Sequence, residues 1–259
     1  MLVNKIIIAI FISILLFLIQ GCDKSRVLKP GDFFAGKQLE IAEIIYNGDE
    51  QALEQELPLI SEEALNAAGK EKMTLLYWAM INAAGDNASS RRTQIITTLV
   101  RAGADPLQPQ PNMPGSPAEL AMKAEKSIWI KAMLDGGLSP DARDRLGNKP
   151  IIFQSIWAKN TDTLKTLLDY GANINITNTL GDTVLIDALD AHSFDHVILL
   201  LERGADSSIK GSSGWTMGNQ LQRYLERGTG DSVDRNKLAL IKALLIKNGG
   251  EWPPQPVDK

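Results

Sequence analysis

The 259-residue sequence predicts an all-α solenoid of about five stacked helix–turn–helix repeats, preceded by an N-terminal cap. The first observation is a period: Gly103, Gly137, Gly171 and Gly204 follow one another at intervals of 34, 34 and 33 residues. The second is that each of these glycines lies within a similar short segment, of which 200–206 (LLERGAD) is one copy. A constant period of this length is typical of stacked repeats, which share one elongated core.

Each copy has the local pattern of a short amphipathic helix. In 195–202, the apolar Val197, Ile198, Leu200 and Leu201 recur at i, i+1, i+3 and i+4, which places them on one helical stripe. The glycine then suits the left-handed position that ends a helix, and the polar residues after it suit a turn. Helices this short are not stable alone, so neighbouring repeats must bury their stripes.

A second recurring segment opens a helix upstream of each glycine. The run from Thr183 to Asp206 aligns without a gap to the pattern T-P-L-H-x-A-A…L-L-L-x-x-G-A-D. The residues that we assign to the proline of this pattern recur every 33 or 34 residues: Pro117, Pro150, Val184 and Met217. On these residues the chain resembles the ankyrin-repeat family over roughly residues 37–252. The resemblance implies an ankyrin-repeat solenoid with an extended binding surface.

The segments around these repeats complete the predicted domain. Residues 38–57 predict a helix pair, with a turn at its Asn-Gly-Asp sequence, that serves as an atypical N-terminal cap or as a first repeat. Two repeats are longer than the others, and their excess lies in polar stretches at about 84–92 and 226–236. We expect two inserted loops on the same edge of the solenoid, either tolerated surface loops or arms that grip a partner. Residues 253–259 form the predicted tail: the prolines cannot continue a helix, and we expect the tail to end in a frayed terminus.

The N-terminus predicts a lipid-anchored export signal. The apolar run Ile6–Ile19 is too short for a typical membrane span of ~20 residues and fits the core of a signal peptide. Cys22 follows it closely and is the only cysteine in the chain. This placement resembles the lipobox of bacterial lipoproteins, which implies a signal peptide at 1–21, acyl chains such as palmitate on Cys22, and a tether at 22–36. The alternative is an uncleaved membrane anchor.

Both interpretations place the repeats on the periplasmic side of a bacterial membrane. Asp23 resembles the residue that retains lipoproteins on the inner membrane, so this resemblance favours the inner membrane, with the outer membrane as the alternative. A lone cysteine cannot form an internal disulfide, and lipidation would account for it. Removing residues 1–21 leaves 26 basic and 31 acidic residues, a net charge of −5. This balance gives no support for binding nucleic acid, which requires a concentrated basic face.

The chain offers little for catalysis, so we predict no enzyme, no cofactor and no metal. Its only histidines, His192 and His196, lie four residues apart and could share a helix face. They lack the third ligand and the neighbouring glutamate that a zinc protease needs. A packed or exposed histidine is the simpler interpretation of each.

The resemblance locates the partner-binding surface on the tips of the inter-repeat turns and on the late positions of the first helices. These positions form the predicted partner-binding set: Arg145, Leu146, Asn148, Trp157, Thr179, Leu180, Asp182, Asp190, Ser212, Ser213, Trp215 and Arg223. Tryptophan and arginine are enriched where binding energy concentrates. The alternative for Trp157 and Trp215 is that they pack across adjacent repeats.

Two kinds of function fit one protein partner. A lipidated ankyrin-type protein resembles the immunity proteins of secreted antibacterial effectors, notably phospholipases, which implies an inhibitor that neutralises one toxic enzyme. The alternative is an envelope scaffold or assembly factor that binds an endogenous protein.

Overall fold

A computed structural model describes residues 28–85, 88–109, 115–228 and 232–257. The predicted signal peptide, Cys22 and Asp23 lie outside these residues, as does the tether up to residue 27. No helix within the described ranges combines the length and the apolar character that a membrane span requires.

The described residues form helices and turns, with two isolated β-bridges and no strand. The α-helices are α1 (Pro30–Phe33), α2 (Gly36–Asn47), α3 (Glu50–Glu56), α4 (Glu62–Asn66), α5 (Leu75–Asn82), α6 (Ser90–Arg101), α7 (Pro117–Met122), α8 (Ile128–Asp135), α9 (Asp162–Asp169), α10 (Val184–Asp190), α11 (Phe194–Glu202), α12 (Met217–Arg227) and α13 (Ser232–Lys247). Short 3₁₀ segments occupy Leu57–Leu59, Lys70–Lys72 and Ile151–Trp157.

The helices pair in the predicted order. Helices α2 and α3 form the cap, and the repeats follow as α5–α6, α7–α8, the 3₁₀ segment with α9, α10–α11 and α12–α13. First helices pack against first helices of the next repeat, as α10 does with α12, and second helices stack likewise, as α11 does with α13. The helical solenoid predicted from the periodicity is confirmed.

Hydroxyl side chains begin four of the first helices, at Thr74, Ser116, Thr183 and Thr216. Each accepts a hydrogen bond from a backbone N–H in the first turn, which otherwise has no intrahelical partner. The third repeat has Pro150 at this position, with no side-chain acceptor, and it continues as a 3₁₀ segment instead of an α-helix.

The assignment of Pro150 to the proline of the repeat pattern is therefore wrong by one residue. Pro150 stands before the helix, as Thr183 does, whereas Val184 is already the first helical residue. The two β-bridges show the same register, because one joins Arg143 to Pro150 and the other joins Thr177 to Thr183. A proline suits either position, since both leave its missing N–H without consequence.

The two inserted segments differ from the expected pair of loops. Helix α6 already begins at Ser90, so only the first part of 84–92 connects the helices. In the last repeat α12 continues to Arg227 and α13 begins at Ser232, so much of 226–236 is helical. The reason lies in α13, whose Leu238 and Ile241 are buried against the preceding repeat and stabilise the longer helix.

The beginning of the predicted tail packs on the solenoid, and its last two residues lie outside the described ranges. The Asn219 side-chain amide donates to the Gln255 carbonyl at 2.8 Å, and Pro254 lies against Gly218. The Lys242 ammonium lies 4.5 Å from the centre of the Trp252 ring. The prolines prevent these residues from forming a helix, but the residues still pack. Residues 252–255 cover the beginning of α12, on the side where a preceding repeat would be followed by the next one.

One contiguous core extends from Phe34 in the cap to Leu245 in α13. Buried polar side chains link neighbouring repeats through the core. The Thr97 hydroxyl donates to the Ala132 carbonyl at 3.0 Å, and the Thr163 hydroxyl donates to the Met122 carbonyl at 2.8 Å. Such bonds set the stacking register, because a shifted repeat would leave these groups buried without a partner.

Candidate functional site

The turn that joins the second and third repeats presents Leu146 on a rigid tip. The Asp144 carboxylate accepts hydrogen bonds from the backbone N–H of Leu146 at 3.0 Å and from that of Lys149 at 2.9 Å. The turn is thus stabilised by hydrogen bonds between its own aspartate and its own backbone. The Leu146 side chain remains 79% exposed, and Asn148 takes a left-handed conformation beside it.

The next turn repeats this construction with an asparagine. The Asn178 side-chain oxygen accepts from the backbone N–H of Leu180 at 2.8 Å and from that of Asp182 at 3.1 Å. Leu180 is 69% exposed, and Thr179 beside it is exposed as well. Adjacent turns thus present equivalent leucines whose backbones are already ordered, so a partner would spend little conformational entropy in fixing them.

The third predicted tip is bonded to its neighbour and less available. The Asp182 carboxylate accepts from the backbone N–H of Ser212 at 2.8 Å and from its hydroxyl at 3.1 Å. Ser213 is exposed, but Trp215 is half-buried and lies under the Arg223 guanidinium, 5.7 Å from the ring centre. Trp215 and Arg223, both in the predicted binding set, thus lie against each other.

Polar links also tie the first tip to its neighbours. Arg143 donates to the Thr177 carbonyl at 3.0 Å, and Arg145 forms an ion pair with Asp105 at 2.6 Å. Arg145 keeps more than half of its side chain exposed, so it can still contact a partner. These bonds join three successive turns into one surface.

The first helices add aromatic and charged groups beside the tips. Trp157 ends the 3₁₀ segment and is 47% exposed, so it contacts solvent across half of its ring system. Lys149 forms an ion pair with Asp187 of the next repeat at 2.9 Å, and Gln220 donates to the Asp190 carboxylate at 2.9 Å. Side chains of successive repeats thus form a polar row along this face.

Burial and mutual repulsion raise the pKa values of two carboxylates in this row. Burial raises the pKa of Asp187, although the hydrogen bond from Lys149 opposes it. Burial also raises the pKa of Asp190, and the charges of Asp187 and Asp182 raise it further. Burial and the nearby Asp190 raise the pKa of the Tyr224 phenol. A cationic group of a partner would stabilise these carboxylates in their charged form.

Asp187 and Gln220 are residues that the sequence analysis missed. No local signal marks them, because each is defined by its partner about one repeat away. Periodicity could have flagged them as first-helix positions, but it could not show which ones bond to each other.

The two histidines do not form a shared site. His196 is buried with its Nε2 atom unbonded, whereas His192 has a left-handed backbone and packs its ring 4.9 Å from that of Tyr224. Within the described ranges no group of three or more histidine, cysteine or acidic side chains could hold a metal ion.

Comparisons with known proteins agree with the repeat architecture. The family model for ankyrin repeats (three copies) matches residues 116–211. The chain is 30% identical over 141 residues to SH3 and multiple ankyrin repeat domains protein 2 of Homo sapiens, and 31% identical over 85 residues to the E3 ubiquitin-protein ligase KEG of Arabidopsis thaliana. The first alignment covers 54% of this chain and 8% of the relative, and the second covers 33% and 5%. The chain thus spans less than a tenth of either relative.

Solved structures share the fold at low sequence identity. The ankyrin repeat domain of Bcl-3 superposes with a TM-score of 0.59 at 21% identity, covering 82% of this chain and 86% of that one. An ankyrin repeat domain from Acinetobacter baumannii AYE superposes with a TM-score of 0.54 at 22% identity, covering 82% and 98%. This fold is typically a binding scaffold without catalytic activity. The match over residues 116–211 and the helical solenoid show an ankyrin-repeat fold, and these repeats indicate a protein–protein interaction module.

Proposed function

We propose that this chain is a membrane-anchored periplasmic immunity protein, which binds and neutralises a secreted toxic enzyme such as a phospholipase. The observation that carries the proposal is the pair of preordered tips with exposed Leu146 and Leu180. An inhibitor gains affinity when its contact residues need no ordering, because the entropy cost of binding is then small.

Two further features support this role. The polar row with Asp187 and Asp190 lies beside the tips, so a partner with apolar side chains and a cationic group would satisfy both. The lipobox-like Cys22 would hold the module close to the membrane, where a lipid-cleaving enzyme must act. A protein that covers such an enzyme's lipid-facing active site needs no catalytic group of its own.

The test is to capture partners with the tagged full-length chain from envelope extracts of cells challenged with effector-producing neighbours. We expect one lytic enzyme at 1:1 stoichiometry, inactive while bound. The double variant Leu146→Asp/Leu180→Asp should weaken binding at least about tenfold, equal to about 1.4 kcal/mol. Leu59→Asp is the matched control, because Leu59 is 68% exposed but lies in the 3₁₀ segment that follows the cap, away from the tips.

Recovery of resident envelope proteins alone, with no enzyme inhibited, would overturn the inhibitor proposal. That result would favour the alternative of an envelope scaffold or assembly factor. Equal loss of binding in the tip variant and in the Leu59→Asp control would show that the tips are not the contact surface.

A further inference from the structure

Helix α13, at the C-terminal end of the solenoid, exposes an apolar stripe that the other second helices lack. Its exposed side is formed by residues three or four positions apart, which share one face of a helix: Val233, Asn236, Ala239, Leu240, Ala243, Ile246 and Lys247. None of them is acidic, and Leu240 and Ile246 are 45% and 49% exposed. We refer to these seven residues as the α13 stripe.

Earlier second helices expose charges at comparable places. Helix α8 exposes Lys131 and Asp135, which form an ion pair, and α11 exposes Asp195 and Glu202. Ile246 stands three residues before Gly249, as Leu201 stands before Gly204, yet Leu201 is only 1% exposed. The next repeat covers Leu201, whereas the described tail covers the beginning of α12 instead of the α13 stripe.

The charge of α13 indicates what could cover the stripe. Residues 232–247 contain four basic residues and one acidic residue, a net charge of +3, in a protein whose total is −4. The Lys237 charge is matched by Asp195 at 2.7 Å, whereas Lys242 lies over the neutral Trp252 ring and the exposed Lys247 ends the stripe. Apolar residues bordered by basic ones are characteristic of helices that lie in the interface of an anionic membrane.

We propose that the α13 stripe docks onto the surface of an anionic lipid bilayer. The inference rests on the proposed membrane anchoring, which would keep α13 near lipid and make a weak contact effective. Leu240 and Ile246 enter the boundary between headgroups and acyl chains, and Lys242 and Lys247 contact lipid phosphates. Helix α13 is the second helix of its repeat, so docking leaves the tips with Leu146 and Leu180 accessible to a protein partner.

The test uses the full chain with the substitution Cys22→Ser, which removes the only native cysteine, so that one introduced cysteine can be labelled. The apolar N-terminal segment of this variant attaches the protein to vesicles. An environment-sensitive fluorophore is attached at Ala243→Cys or, as the control, at Ser213→Cys on the third turn. Vesicles of phosphatidylglycerol and phosphatidylethanolamine are compared with vesicles of phosphatidylcholine, each carrying nitroxide-labelled acyl chains as quencher.

We expect quenching of the label at position 243 in the anionic vesicles only, and none at position 213. Leu240→Gln with Ile246→Gln should abolish it. Lys247→Gln should lower the ratio of docked to undocked protein about fivefold, the equivalent of about 1 kcal/mol per basic residue. Lys210→Gln, an exposed lysine outside α13, should not change that ratio.

Three results would overturn the inference: no quenching at position 243 in either vesicle, equal quenching at both positions, or quenching at 213 alone. Self-association that disappears in Leu240→Gln/Ile246→Gln would instead assign the stripe to a second copy, and stripe-dependent capture of an acidic protein would assign it to that protein. Inhibition of the captured enzyme by Leu240→Gln/Ile246→Gln is measured separately. If inhibition is retained while docking is lost, the immunity proposal stands independently of the stripe.

Discussion

The two ends of the solenoid differ in the surface that the terminal helices expose to solvent. Residues 28–72, which include the cap, contain ten acidic and four basic residues, a net charge of −6, and expose glutamates such as Glu40, Glu43 and Glu54. The other end exposes the apolar α13 stripe with a net charge of +3 over its helix. The first end is closed by solvated charge, as terminal repeats require, whereas the second retains a surface suited to binding.

The ends also differ in how they join the stack. At the cap, Trp78 of the first repeat contacts the rings of Phe33, Phe34 and Tyr46 and donates from Nε1 to the Ala42 carbonyl at 2.9 Å. At the other end, Trp252 lies half-buried on the surface beside Lys242. The N-terminal end therefore contributes side chains to the core, whereas the tail packs on the outside of the core.

The largest effect is expected at Trp78. Trp78→Ala removes a fully buried ring and a hydrogen bond to the cap, so the free energy of unfolding should fall by about 3–5 kcal/mol. Urea unfolding followed by circular dichroism measures this. Trp78→Phe keeps most of the volume and should cost clearly less; equal losses would mean that the aromatic cluster does not depend on ring size.

A smaller effect is expected at the opposite end. Trp252→Ala removes a half-buried ring and the contact with Lys242, so unfolding should be easier by only about 1–2 kcal/mol. Hydrogen exchange should show faster opening of α12 and α13, with the cap unaffected. A loss as large as that of Trp78→Ala would contradict the distinction between an integral cap and a covering tail.

The middle of the stack should respond to pH through His196. Burial lowers its pKa below the usual 6.5, although the carbonyls of Asn160 and Ser155 and the charge of Asp195 oppose this. The neutral form is therefore favoured in the folded state. Stability is complete above about pH 6.5 and falls as the pH drops from there towards the folded-state pKa, because the unfolded chain binds the proton more readily.

Substituting the residue of the preceding repeat tests this dependence. Thr163 occupies the corresponding position, so His196→Thr should remove the His196 contribution to the fall in stability below about pH 6.5 while keeping the fold. Unfolding in urea across this range is the measurement, with His192→Asn as the control. An unchanged slope in His196→Thr would assign the dependence to other groups.

The smallest effect on stability is expected at the tips. Leu146→Asp and Leu180→Asp alter exposed side chains whose turns are held by Asp144 and Asn178, so each should change the unfolding free energy by no more than about 0.5 kcal/mol. A thermal scan beside the unaltered chain checks this. A large loss would show that these leucines stabilise the fold and would remove them from the candidate contact surface.

Much of the architecture was predictable because repeats encode it locally. The glycines from Gly103 to Gly204 marked the helix ends, and α2 and α3 form the helix pair predicted at 38–57. The register at Pro150 was wrong by one residue, since proline suits both sides of a helix start. The helical part of 226–236 was missed because that stretch is polar, and the core contacts of α13 that stabilise it come later in the chain.

The candidate site was predictable by position but not by role. Repeat spacing located Leu146 and Leu180 on turns, and the structure adds that their turns are ordered by Asp144 and Asn178. The same spacing located Trp215 on the third turn, and the structure adds that it is half-buried and lies against Arg223.

The period, the helix pairs and the polarity of each turn could be predicted from the sequence, because these features depend on residues close together in the chain. The groups that remain exposed could not be predicted, because their exposure depends on contacts between distant parts of the chain. The links between Lys149 and Asp187 and between Gln220 and Asp190 join residues 30 or more positions apart. The exposure of Leu240 and Ile246 depends on the tail's covering α12 instead of the stripe, which no local pattern records.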